Sequence, residues 1–196
     1  MEVRDVESAI STALTRPLPT TVYTSSRPVP MNHEDIMSIQ VGDRIPEVPL
    51  QRLDDGVKTV DTPTLFDGKK VVLFAVPGAF TPTCSERHLP GFVEHFDQFH
   101  ARGIDVLCMS VNDPFVMQAW GQSQHVPDGL QMLADGNADF TRALGLELDA
   151  SGYGMGTRSR RFALYAEDGV VKKLFVEAPG EFKVSSAEYM LDELAK

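Results

Sequence analysis

Cysteine is scarce in this chain: two in 196 residues, Cys84 and Cys108. That is too few for a disulfide scaffold, so a reducing, cytoplasmic setting is the simpler expectation. Basic charge is also short, with 18 Lys and Arg against 28 Asp and Glu and a net charge of −10. An acidic chain is a poor partner for nucleic acid or an anionic membrane surface, both polyanions. No apolar run approaches the roughly 18 residues of a membrane span. No apolar segment follows a basic start, which argues against a secretory signal. The five histidines form no metal-ligand spacing with cysteine, so neither metal nor cofactor is expected.

Residues 1–36 read as a poorly ordered extension. The stretch from Ser8 to Pro30 has no acidic residue, is broken by prolines and keeps no apolar period. Its Ser, Thr and Arg content also resembles a mitochondrial transit segment, but Glu2, Asp5 and Glu7 weigh against that.

Residues 37–196 form the expected domain. "VPLQRL" and "VKTVDT" flank Asp54-Asp55-Gly56, predicting a hairpin. "KKVVLFAVP" predicts a central strand buried on both faces. Leu89, Phe92, Val93, Phe96 and Phe99 recur at helical spacing, with a kink expected at Pro90. "IDVLCMSV" is a second buried strand. Asp113-Pro114 then starts a helix carrying Phe115, Val116, Ala119 and Trp120. "LQMLAD" predicts a short strand and "ADFTRALG" a short helix. "RRFALYAE" and "VVKKLFVEA" flank Asp168-Gly169 as a second hairpin, and Ser185-x-x-Glu188 reads as a capping box for a last helix. The order predicts an α/β sandwich with a mixed sheet.

In open α/β sheets, reactive groups collect beyond the carboxyl ends of the parallel strands. Cys84 lies there, in "VVLFAVPGAFTPTC". Thr81 with Pro82 at the first helical position, or Thr83 with Glu86 three residues on, would cap the next helix. Either way Cys84 falls in the first turn, where free backbone N–H groups and the helix dipole favour a thiolate. A small buried apolar residue is the plainer reading of a lone cysteine, but the flanking set is one that packing does not require.

That set, Pro77-x3-Thr81-x2-Cys84, resembles the active-site motif of the peroxiredoxins, in particular the type II (peroxiredoxin-five-like) subgroup. "HLPGF", "SVNDPFVMQAW", "GLELD" and "RSRRFALY" extend the likeness over residues 38–196. The resemblance implies a thioredoxin-like fold and a thiol-dependent peroxidase acting on hydrogen peroxide and alkyl hydroperoxides. It also implies an external thiol reductant, glutathione with glutaredoxin or thioredoxin, and a homodimer formed near Phe80 and Phe115. Cys84 matches the peroxidatic cysteine, Thr81 the threonine that orients the peroxide, and Pro77 the proline that shelters the thiol. Arg161 matches the arginine that pairs with the thiolate. Gly78, Phe80 and Thr83 are further substrate contacts by the same correspondence.

Three arginines compete at "TRSRR". Alternation sets Arg161 opposite Phe162 and Leu164, with Arg158 and Arg160 in a solvated loop. Reaching Cys84 then requires that strand to run antiparallel to 71–77. Cys108 matches a second cysteine of plant and microbial members. Its place well down a strand favours a buried structural role over a resolving one. His88, one turn after Cys84, reads equally as a tuning group or an exposed helix histidine. Gly152, Gly154 and Gly156 read as a flexible loop. A thioredoxin-like disulfide oxidoreductase needs C-x-x-C, and Thr81 stands where the first cysteine would be. A redox relay passing oxidation to a partner is the competing reading from another class.

Overall fold

A computed structural model describes residues 38–196; the extension expected over 1–36 lies outside them. Strands β1 (Leu50–Leu53) and β2 (Val57–Val60) form the first hairpin, and a short helix α1 (Thr62–Phe66) follows it. The central strand β3 (Lys70–Val76) pairs parallel with β4 (Ile104–Ser110), which pairs parallel with β5 (Gln131–Ala134). On its other edge β3 meets β8 (Phe162–Glu167) antiparallel, and β8 forms a hairpin with β9 (Val170–Val176). The seven-stranded order is β2-β1-β5-β4-β3-β8-β9, a mixed sheet of thioredoxin-like form, as expected.

Alternation along β3 divides the core. Val72, Phe74 and Val76 face a cluster holding Cys84, Leu89, Phe92 and Trp120. Val71, Leu73 and Ala75 face a second cluster with Leu65, Phe66 and Phe140. Each fully buried side chain of this size contributes roughly 1.5–3 kcal/mol, so β3, covered on both faces, is the rigid reference for everything at its carboxyl end.

The segment after β3 departs from a single kinked helix. Pro82 and Thr83 are helical, Cys84–His88 is a π-turn, and α2 (Leu89–Glu94) follows. Pro90 explains this. It has no N–H, and its ring would strike the Glu86 carbonyl in an α-helix, so the chain widens one turn earlier, with Leu89 N–H donating to Cys84 O. A second break at His95 separates α2 from α3 (Phe96–His100).

Asp113 caps α4 (Pro114–Ser123) as expected, accepting the Val116 N–H at 2.9 Å. The buried face of α4 is Pro114, Met117, Trp120 and Gly121, however, and Phe115 is 60% exposed. Helix α5 (Asp139–Ala143) leads to a small sheet of β6 (Glu147–Asp149) and β7 (Thr157–Ser159), too short to carry a readable alternation. The expected glycine loop is their connection, with Gly154 and Gly156 at positive φ. The last helix α6 (Ala187–Leu194) is capped by Ser186, whose hydroxyl accepts from Tyr189 N–H. The predicted cap, Ser185, is fully buried and committed elsewhere.

Candidate active site

The turn between β3 and the π-turn delivers Cys84 to a fully buried position beside Phe74 and Val76. Antiparallel pairing of β8 with β3 brings Arg161, just ahead of β8, over it. Arg161 Nη2 donates to Cys84 Sγ at 3.3 Å. Arg161 is in phase with Ala163 and Tyr165, which line the same cluster as Cys84, and it is the arginine of the three that bonds the sulfur. Arg158 and Arg160 are not in a solvated loop. Arg158 is half-buried and donates to the carbonyls of Met155 and Val111, each at 2.8 Å, and Arg160 donates to Glu177 O at 3.2 Å. Both pin loops around the site; a basic run gives no sign of such carbonyl partners.

Thr81 stands at the helix start, where its backbone carbonyl accepts the Ser85 N–H at 3.0 Å. Its hydroxyl donates to Gly78 O at 2.8 Å rather than capping, which leaves the oxygen's lone pairs as an acceptor. Thr83 makes no side-chain cap either. Pro77, Thr83 and Arg161 line a pocket of 320 Å³ with Leu148, Tyr153 and Pro179. Gly78 is there for space: a Cβ would lie 2.9 Å from Met155 Cε and 3.2 Å from Thr81 Cγ2. Phe80 adopts φ +62° and is 57% exposed on the rim, a conformation costly for a bulky residue.

Three supports had little or no sequence signal. Asn112 Oδ1 accepts Ala79 N–H at 3.0 Å and the Ser110 hydroxyl at 2.8 Å, tying the turn to the end of β4. Trp120 Nε1 donates to Ser85 Oγ at 3.0 Å, holding the residue after Cys84. His88 is fully buried among Phe74, Phe92 and Phe182. Of the two readings left open for it, exposure is excluded. Burial first, then the Arg161 charge, push its ring down to about 3, with the Ser185 carbonyl opposing them.

Cys108 is fully buried and unbonded in β4, level with Phe74 in the β3 register and on the face that carries Cys84. Burial, then the neighbouring Cys84, push its thiol well up.

Comparison with known proteins places the chain in a family. The Redoxin family pattern matches residues 40–191. Peroxiredoxin-2E-2, chloroplastic, of Oryza sativa subsp. japonica is 53% identical over 166 residues, 81% of this chain and 74% of that protein. Peroxiredoxin-2B of Arabidopsis thaliana is 48% identical over 159 residues, 80% of this chain and 98% of that protein. Among solved structures, reduced Prx3 of Vibrio vulnificus in complex with H2O2 superposes with a TM-score of 0.76 at 52% identity, covering 80% of this chain and 99% of that one. The chain therefore belongs to the peroxiredoxin family, with the type II members among its relatives, and is a thiol-dependent peroxidase.

Proposed function

We propose that Cys84 is the peroxidatic residue, that Arg161 and Thr81 activate it and orient the peroxide, and that Pro77, Gly78, Phe80 and Thr83 shape the approach. One observation carries this reading: the Arg161 guanidinium lies 3.3 Å from the Cys84 sulfur, and Arg161 itself lines the pocket with Pro77 and Thr83. The Cys84 thiolate attacks one peroxide oxygen and forms the S–O bond as the O–O bond breaks. The departing oxygen leaves as water or alcohol after taking a proton, and the cysteine is left as sulfenic acid. Arg161 is permanently charged and holds both the thiolate and the charge that moves across the O–O bond. The Thr81 oxygen accepts the peroxide hydrogen. The apolar pocket wall suits alkyl hydroperoxides as well as hydrogen peroxide.

Recycling by an external thiol is the reading we favour. Cys108 is buried, and its thiol is pushed well up, which leaves little thiolate to attack a sulfenic acid at neutral pH. A donor thiolate such as glutathione would displace hydroxide from sulfur, giving a mixed disulfide, and a second thiol (glutaredoxin with glutathione, or thioredoxin) would release Cys84. The exposed Phe80 and Phe115 support a homodimer over this rim. The name of the rice relative, chloroplastic, and the Ser/Thr/Arg composition of residues 1–36 support an organellar address over the cytoplasmic expectation. A fluorescent fusion of the whole chain that stayed in the cytosol would reverse that choice.

Peroxide consumption by Cys84→Ser with a thiol donor tests the central reading. Loss of turnover is expected, and wild-type turnover would end it.

A further inference from the structure

The contacts that hold Arg161 continue beyond it. Among the described residues its guanidinium makes two side-chain hydrogen bonds, Nη2 to Cys84 Sγ and Nη1 to His88 Nδ1 at 2.9 Å. The other ring nitrogen, His88 Nε2, lies 2.9 Å from the carbonyl oxygen of Ser185. A carbonyl only accepts, so Nε2 carries the hydrogen and Nδ1 presents the lone pair that Nη1 needs. The ring therefore works in one tautomer, chosen by a backbone carbonyl at the far end of the chain.

That carbonyl is itself fixed by one carboxylate. Glu177, 4% exposed, follows β9, and its Oε1 accepts four hydrogen bonds. They come from the N–H groups of Lys183 at 2.7 Å, Val184 at 2.8 Å and Ser185 at 2.8 Å, and from the Ser185 hydroxyl at 2.9 Å. The Glu177 N–H also donates to Arg161 O at 2.9 Å, so the same residue grips the arginine's backbone. The Ser185 N–H and hydroxyl are buried, so losing their acceptor forces this stretch of chain to move.

We propose that Glu177 is a positioning residue for the Cys84 site, acting through the Ser185 carbonyl and the His88 ring to aim the Arg161 guanidinium at the sulfur. The inference rests on the reading of Cys84 as the reactive thiol. It is tested without peroxide, so its failure and a failure of the peroxidase assignment are told apart.

The readout is the rate at which iodoacetamide alkylates Cys84 at pH 7, in Cys108→Ser protein so that one thiol is followed. His88→Gln keeps a donor for Ser185 but lacks the Nδ1 acceptor, and is expected to slow alkylation about tenfold. His88→Asn, whose Oδ1 takes the place of Nδ1, is expected to stay within about threefold of the parent. Glu177→Gln, a weaker acceptor of the same size, is expected to slow alkylation about fivefold alone and less than about twofold in the His88→Gln background, the coupling a relay requires. Should that variant not fold, Glu177→Asp, which draws the oxygen back by one methylene, carries the same expectation. In the wild-type protein, 15N spectra of the ring are expected to show hydrogen on Nε2 alone at pH 6. Unchanged alkylation in the Glu177 variant, equal effects in both backgrounds, or a wild-type ring protonated on Nδ1 overturns the proposal.

Discussion

Acid should destabilise this protein in part through one residue whose share can be isolated, His88. His88 is fully buried, and burial together with the Arg161 charge lowers it from 6.5 to about 3. In the unfolded chain it titrates near 6.5, so between those limits the unfolded state binds a proton that the folded state refuses. Unfolding is then linked to proton uptake, and stability is complete above pH 6.5 and falls as pH drops towards 3. Each pH unit costs about 1.4 kcal/mol. From pH 7 to 4.5 the loss from this ring is about 2.5 kcal/mol, a large share of a typical domain's stability. His88→Gln removes the titration and leaves every other carboxylate and histidine in place, so their contributions cancel in the difference between the two proteins. The assay is urea unfolding of reduced protein, followed by fluorescence of the single tryptophan, Trp120, which is fully buried. The wild-type protein is expected to lose about 2.5 kcal/mol more than the variant over this range. A difference that stays flat within about 0.5 kcal/mol would refute the argument, because it would mean the folded ring accepts its proton near the ordinary value.

Three further outcomes follow from the same geometry. Arg161→Lys retains the charge but not the two-pronged donor that bonds both Cys84 and His88, and peroxide consumption should fall by at least about tenfold in stopped-flow assays. Cys108→Ser should leave turnover with glutathione and glutaredoxin within about twofold while lowering stability by about 1–3 kcal/mol, because a hydroxyl is placed in an apolar core; collapse of turnover with stability intact would instead make Cys108 a resolving thiol. Trp120→Phe removes the donor to Ser85 and should cost about 1–3 kcal/mol in urea unfolding, with a faster hydrogen exchange at Ser85 and Glu86 as the local signature.

Much of the fold could be read from runs and punctuation. The β3 and β4 runs are apolar on both faces because helices cover both, and Asp54-Asp55-Gly56 and Asp168-Gly169 meet the positive φ that their tight turns impose. The small β6–β7 sheet escaped because three-residue strands carry no period. The π-turn escaped because Pro90 announces a break without saying on which side the backbone will yield. Ser185, expected to cap the last helix, yields that place to Ser186, because the demand of the buried Glu177 for donors takes its hydroxyl and N–H.

The candidate site divides along the same line. Pro77, Thr81 and Cys84 sit within eight residues, so chain connectivity alone brings them to one end of β3, and the alternation of β8 singled out Arg161. Residues far apart in the chain meet by packing, which leaves no local trace. His88, Ser185 and Glu177 come together because the π-turn, the residue after β9 and the turn before α6 pack against one another. Whether a helix histidine is exposed or buried against an arginine depends on what covers it, and that cover is contributed by residues almost a hundred positions away.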